Sequence, residues 1–426
     1  MSLLEKIQNK DFVLTIVGVG RVGLPLGILF ANAGIKTYLL DINADMLKNL
    51  ERNVMPFKEK NLEGEWKRAR KNLFLTSDSK EAMSQSDVLI ICVGTPLTAD
   101  FEPNMSSLLS CLREIAKYVE KEALVVIRST VSPCTTMNVI VPFLKEKAKH
   151  QLYVAMCPER ILEGNAFEEL RELPEIVGGA DRKSAQLTEE LLTILNKDKI
   201  IIKTDATSAE VAKLFLNVYR YMNFALANEF AIIADNLGLD CREIIRIANQ
   251  SYKRGGIPEP GPSGGPCLYK DGHFLVGNLP FIDFARVAWH LNESVPRYIV
   301  DRLRKAVSGG VLYGVHVGVL GMGYKAGSDD TRYSPAAKIA ECLRTEGSIV
   351  HVHDPNMPTT ESLDSVLKKC KVLVVAVNHP EFKSIPLNKL QNMKVIFDCW
   401  GILQYRQHEL SSRGCKYISF GGGQKL

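Results

Sequence analysis

The sequence predicts an α/β protein with two doubly wound parallel-sheet (Rossmann-like) domains joined by a central all-helical domain. Three observations carry that prediction. Short apolar runs alternate with helical patterns up to about residue 205, the period becomes helical from Ser208 to about residue 306, and the alternation resumes at His316. The expected domains are therefore 1–205, 206–308 and 309–426, in keeping with a chain of 426 residues that is too long for one compact core.

Taken in order, the first domain offers apolar runs at 12–18, 36–41, 87–94, 124–129, 151–156 and 199–203, with helices expected at 22–33 and 183–196. In the middle, Val211, Leu214, Phe215, Val218 and Met222 recur at helical spacing with no breaker before Gly238, which predicts one helix of about 30 residues. A second helix is expected at 240–249, then a Gly/Pro-rich stretch, then a long amphipathic helix from about Phe281 to Ala306. Runs at 316–321, 348–354, 371–377 and 394–399 supply the second sheet, and the tail GGGQKL is expected to be mobile.

Composition excludes several classes. The 53 basic and 48 acidic residues leave a net charge of +5 with no like-charge run to track a phosphate backbone, so nucleic-acid binding is not expected. Ten cysteines are scattered singly without zinc or redox spacing, which predicts a reduced, cytoplasmic protein with no metal centre. The N-terminus does not read as a signal peptide, and no run reaches the ~18 apolar residues of a membrane span, so no membrane partner is expected.

Gly18-Val19-Gly20-Arg21-Val22-Gly23 follows the first strand directly, and Asp41 ends the second strand 21 residues beyond Gly20. Gly18 suits a tight turn, Gly20 lets backbone approach a pyrophosphate, and Gly23 permits close packing of helix on strand. Asp41 would accept hydrogen bonds from ribose hydroxyls and repel a 2'-phosphate, which predicts NAD as cofactor. Gly94-Thr95 and Thr130 lie at later strand ends, where open sheets bind ligands. Gly321-Met322-Gly323-Tyr324-Lys325-Ala326 repeats the turn, but its acid, Asp354, lies 31 residues beyond Gly323, so a phosphate ligand other than NAD is expected there, clamped by Lys325 and Arg332.

Cys267, in GGPCLYKD, stands apart from the other nine cysteines because small residues precede it and Lys270 and Asp271 follow it, a setting for a nucleophilic thiol. Lys213, Asn217 and Arg220 share one face of the long helix, where a solvated stripe is the simpler explanation. Glu159 and Glu163 in CPERILEG stand four apart, as a helix-start feature or a proton-transfer pair.

The blocks GVGRVGLPLG, VGTP, STVSP, CPERILEG, AEVAKLFLNVYRYMNFALANEF, GGPCLYKD and GYKAGSDDTRYSPA resemble, in order and spacing and over nearly the whole chain, the UDP-glucose/GDP-mannose dehydrogenases. Pro158-Glu159-Arg160 resembles the branch acting on UDP-N-acetylmannosamine; a UDP-glucose or UDP-N-acetylglucosamine enzyme, or a non-catalytic nucleotide-sugar sensor, are the alternatives. The resemblance implies four-electron oxidation of a sugar C6 alcohol by two NAD+, with Cys267 carrying the thiohemiacetal and thioester. It further implies that Lys213 and Asn217 stabilise oxyanions, Asp271 assists proton transfer, Glu163 is the base for hydrolysis, and Thr130 holds water. Glu159, Arg160 and Arg220 fall to the sugar side, Lys325 and Arg332 to the uridine diphosphate, and the protein is expected to be a homodimer or a dimer of dimers. Three positions depart from the family pattern: Arg21 replaces a usual Tyr, GGPCLYKD ends as in UDP-glucose enzymes, and Asp398-Cys399-Trp400-Gly401 replaces Asp-x-Arg-Asn.

Overall fold

The computed structural model describes residues 1–277 and 282–424. Contacts divide the chain into two compact units, residues 1–216 with 273–277 and the remainder of the described chain. No helix among the described residues is long and apolar enough to cross a membrane.

The first unit is built on an eight-stranded sheet: β1 (Val13–Val17), β2 (Lys36–Leu40), β3 (Leu73–Thr76), β4 (Val88–Ile91), β5 (Ala123–Ile127), β6 (Leu152–Met156), β7 (Glu175–Gly179) and β8 (Ile201–Asp205). Its order is β3-β2-β1-β4-β5-β6-β7-β8. Successive side chains go to opposite faces, and both faces are buried. Val88 and Ile90 of β4 enter one core with Leu14, Ile16 and Leu24, while Leu89 and Ile91 enter the other with Leu112 and Ile127. Chain order reverses between β1 and β4, so the loops after these two strands diverge and leave the crevice in which such sheets bind ligands.

The second unit holds a five-stranded parallel sheet in the order β10-β9-β11-β12-β13, made of β9 (His316–Leu320), β10 (Ile349–His353), β11 (Val372–Val375), β12 (Val395–Asp398) and β13 (Lys416–Ser419). Its core is shared with helices: Ala231 and Ala234 of the long helix (Ala206–Leu237), Ile245 of the helix Cys241–Asn249, and Val295, Ile299 and Leu303 of the helix Asp283–Ala306 pack with Val317, Val374 and Phe397. The start expected for that last helix, Phe281, lies outside the described residues.

Several expectations are corrected. The first sheet is not wholly parallel, because β7 runs antiparallel to β6. Strands β3, β7 and β13 were not anticipated: β3 is an edge strand with Phe74 exposed, β13 (KYIS) has only Tyr417 and Ile418 as apolar residues, and β7 ends on two glycines, since a Cβ on Gly178 would lie 2.6 Å from the backbone of Ala206. The fifth and eighth strands end and begin two residues away from the expected bounds, at Ile127 and Ile201. The tail is anchored through residue 424. Buried Asp235 accepts the N–H groups of Gly421 and Gly423 at 3.2 and 3.0 Å, and Arg302 donates to the Gln424 carbonyl at 3.0 Å.

Candidate active site

In the first unit the β1 turn is shaped by glycines. Gly18 has φ +93°, and a Cβ there would lie 2.9 Å from the carbonyl of Cys92; one on Gly23, the first residue of the helix Gly23–Asn32 capped by Val22, would collide with the carbonyl of Gly18. A Cβ on Gly20 meets nothing within 4 Å, as a backbone reserved for phosphate contact requires. Asp41 accepts the Val19 N–H at 2.7 Å through Oδ2 and the Asn43 N–H at 2.9 Å through Oδ1. Beside it Ile42 is 99% exposed, an apolar surface that nothing in its local sequence singles out. At the neighbouring strand ends Gly94 is open, and buried Thr95 donates to the Thr130 carbonyl at 2.8 Å, tying the β4 and β5 loops together. These residues fit NAD: open backbone at Gly20, a helix N-terminus, and a carboxylate at the end of β2.

Arg21 lies 3.6 Å from Glu163 and 5.0 Å from the ring of Phe57. The departure from the family pattern at position 21 therefore connects the nucleotide turn to the segment carrying the expected base. Glu159 is placed differently. Its Oε2 accepts from Arg128 Nη2 at 2.7 Å and Nε at 3.1 Å, and its Oε1 accepts the N–H groups of Arg160 and Ile161 at 2.6 and 2.8 Å. Arg128 also reaches Glu175 at 3.3 Å, and Lys199 approaches Glu175 at 3.6 Å, all buried. Burial opposes charge on Glu159, but the guanidinium and the two backbone donors outweigh it and hold the carboxyl below its ordinary value. Arg160 donates to the Pro174 carbonyl. Sequence reasoning missed Arg128 and Glu175; the one signal was an arginine closing the apolar run LVVIRS.

Lys213 and Thr130 are both buried and joined by a hydrogen bond from Nζ to Oγ1. One turn along the same helix, in the second unit, Asn217 donates to Asp271 Oδ2 at 2.7 Å. Asp271 is wholly buried; its Oδ1 accepts no hydrogen bond and lies 3.4 Å from the Lys270 ammonium. Cys267, expected just after the Gly/Pro-rich stretch, sits in the first turn of the helix Pro266–Val276 and is exposed, four residues before Asp271. A helix N-terminus offers partial positive charge to an anion formed there. Arg220 is exposed on the long helix.

The β9 turn repeats the first one with a different outcome. Gly321 has φ +90°, but a Cβ on Gly323 would lie 2.5 Å from the carbonyl of Ser328, so the chain's own loop covers the position that stands open at Gly20. Asp354, 2% exposed, accepts the Met322 and Gly323 N–H groups at 2.7 and 3.2 Å and lies 3.3 Å from His379 Nε2. Of the expected clamp residues, Arg332 forks onto Asp330 at 2.6–3.0 Å and Lys325 lies 6.0 Å from the Tyr324 ring centre.

Family models match in chain order: the NAD binding domain of the UDP-glucose/GDP-mannose dehydrogenase family over residues 13–213, its central domain over 207–290 and its UDP binding domain over 318–405. A UDP-N-acetyl-D-mannosamine dehydrogenase of Pyrococcus horikoshii is 36% identical over 92% of this chain and 96% of its own length. A solved UDP-D-ManNAc dehydrogenase structure from the same organism superposes with a TM-score of 0.88 at 33% identity, covering 96% of this chain and 99% of that one. A UDP-glucose dehydrogenase structure from Pyrobaculum islandicum gives a TM-score of 0.86 at 25% identity, with 96% and 98% covered. These matches make the chain a member of the UDP-glucose/GDP-mannose dehydrogenase family, an NAD-dependent oxidoreductase acting at the C6 hydroxyl of a UDP-sugar.

Proposed function

We propose that the substrate is UDP-N-acetylmannosamine and that Cys267 carries its C6 carbon through the second half of a four-electron oxidation to the uronate. Bound NAD+ accepts two electrons in each of the two oxidations. An alcohol can be oxidised directly, whereas an aldehyde must first become tetrahedral, which requires a nucleophile. The Cys267 sulfur adds to the aldehyde carbon, the thiohemiacetal is oxidised to a thioester, and water cleaves it to the carboxylate and the free thiol. Lys213 and Asn217 donate to the oxyanions, where losing one preorganised donor typically costs ~10²- to 10³-fold. Asp271 moves the proton of the tetrahedral adduct, Glu163 takes the proton of the attacking water, and Thr130 orients that water. Arg160, Glu159 and Arg220 serve the sugar side, with Glu159 acting by fixing the backbone of Arg160 and Ile161; Lys325 and Arg332 serve the diphosphate.

The observation that carries the mechanism is the exposed thiol in the first turn of a helix whose next turn bears buried Asp271, hydrogen-bonded to Asn217 of the long helix. The choice of sugar is supported by the 36% identity to the mannosamine enzyme. UDP-glucose is the second reading, favoured by the Lys270-Asp271 ending of the cysteine block. A homodimer, alone or paired into a dimer of dimers, accounts for the apolar side chains left exposed along the long helix, Tyr219, Leu226, Ile233 and Leu237, and on the helix that follows it, Ile244 and Ile247; a monomer mass in solution would overturn it. Ten cysteines scattered singly, without zinc or redox spacing, support a reduced, cytoplasmic setting.

The test is NADH formed per sugar nucleotide consumed, with UDP-ManNAc, UDP-GlcNAc and UDP-glucose in parallel and Cys267→Ser as control. Two NADH per UDP-ManNAc, with the variant stalled, is expected. Full turnover without the thiol would sink the thioester route, and preference for another sugar would replace the substrate.

A further inference from the structure

The thiol of Cys267 is delivered by a loop rich in glycine and proline, GGIPEPGPSGGP, which has few side chains with which to hold itself in place; Ser263 donates to the Gly261 carbonyl at 3.0 Å. Its other fixings come from elsewhere in the second unit. Asn249 accepts the N–H groups of Gly256 and Ile257 at 2.8 and 3.0 Å, buried Asn228 accepts the Gly261 N–H at 2.9 Å, and the Gly265 N–H donates to the Tyr333 carbonyl at 3.0 Å. A single cation adds the connection to the sheet. Arg242, on the helix Cys241–Asn249, donates from Nη2 to the Pro260 carbonyl at 3.3 Å and from Nη1 to the Phe420 carbonyl, just past β13, at 2.8 Å.

The strand end beside β12 is shaped to receive that guanidinium. Gly401 has φ +68°, and a Cβ on it would lie 3.1 Å from both Cζ and Nε of Arg242. Next to it, the Trp400 indole donates to the Ala376 carbonyl at 2.9 Å and lies so close to Gly261 that a Cβ there would collide with the ring. Asp398-Cys399-Trp400-Gly401 thus supplies a flat wall and a gap, and Arg242 fills the gap.

We propose that Arg242 is a positioning residue for Cys267, clamping the loop that precedes the thiol onto the carboxyl ends of β12 and β13 with Trp400 and Gly401 as its seat. The inference rests on the reading of Cys267 as nucleophile. Arg242 touches neither thiol nor substrate; it fixes the approach of the sulfur to the aldehyde. The first oxidation does not use the sulfur, so loosening the clamp acts on the second. Misplacement by about 1 Å can cost ~10²-fold in such a step.

The experiment uses the intact enzyme and three variants: Arg242→Ala, Arg242→Lys, and Arg246→Ala as a control on the same helix, where Arg246 is exposed and paired with Glu243. Two readouts are taken, the fraction of sugar captured as aldehyde by a hydrazine trap during turnover with its NADH yield, and the alkylation rate of Cys267 resolved by peptide mass spectrometry. Both Arg242 variants are expected to leak aldehyde, to drop from two NADH per sugar toward one, and to change the Cys267 alkylation rate by about threefold or more, with the Ala variant the stronger; Arg246→Ala matches wild type. Should Arg242→Ala fail to fold, Arg242→Lys, which keeps the charge and reaches one carbonyl, decides. Variants that melt earlier yet leak no aldehyde and alkylate at the wild-type rate would overturn the proposal. If Cys267→Ser itself still yields two NADH per sugar, the nucleophile reading fails instead.

Discussion

The two glycine turns of this chain start from one design and end in opposite uses. Each follows the first strand of its sheet, each opens on a glycine with φ near +90°, and each has an aspartate from the neighbouring strand end accepting backbone N–H from the turn. In the first turn the second glycine faces open space and the aspartate remains partly exposed. In the second turn a loop carbonyl covers that glycine, and the aspartate is sealed in with His379. A carboxylate at this position therefore organises the turn wherever it occurs. Only in the first turn does the backbone around it stay open.

The largest effect that follows is on the sealed copy. Asp354→Ala leaves two turn N–H groups and a buried imidazole without their shared acceptor, and loss of one partner from such a group costs about 3 kcal/mol or more. Denaturant unfolding is expected to show that loss, with NAD affinity of the folded protein unchanged. A variant as stable as wild type would break the comparison, because Asp354 would then hold nothing together.

Asp41→Ala should behave in the opposite way. Its hydrogen bonds to ribose hydroxyls would be charge-assisted, worth ~1.5–3 kcal/mol, so NAD affinity falls roughly ten- to hundred-fold, while stability without cofactor falls less than in Asp354→Ala because water can reach the freed Val19 and Asn43 N–H groups at this partly exposed site. Titration calorimetry with NAD and NADP checks both halves. Unchanged NAD affinity would mean that Asp41, like Asp354, serves only its own turn.

What could be read from the sequence follows from how local each feature is. Gly18, Gly20, Gly23 and Asp41 form one strand-turn-helix-strand unit at fixed spacing, so the turn and its strand-end acid were legible. Asp354 failed the same spacing test because the stretch from Gly323 is 31 residues rather than 21; the loop before the helix Pro335–Thr345 adds nine of the extra residues and the helix itself one, without moving the strand end. Nothing local announces that Arg128 closes on Glu159 and Glu175, 31 and 47 residues away, or that Arg242 meets Phe420 across 178. Those pairings exist only once the sheets have formed. Strand β7 was illegible for a related reason, since its Gly178 answers to the start of the long helix beneath it and not to strand preference.

The smallest effect separates the two aspartates by acid. Burial works against charge on Asp354, but the His379 hydrogen bond and the N–H groups of Met322 and Asn356 outweigh it and bring the carboxyl down to about 2. A group held lower in the folded state than in the unfolded chain contributes stability above its ordinary value and surrenders it as pH falls through the folded one. From pH 5 to pH 3 the unfolded aspartate takes up its proton while the folded one resists, which removes about 1 kcal/mol of its contribution. The stability gap between wild type and Asp354→Asn should therefore narrow by that amount over this interval in urea titrations. A gap that stays constant, or widens, would show that the proton distinguishes nothing between the folded and unfolded aspartate, and that the turn is held by its backbone alone.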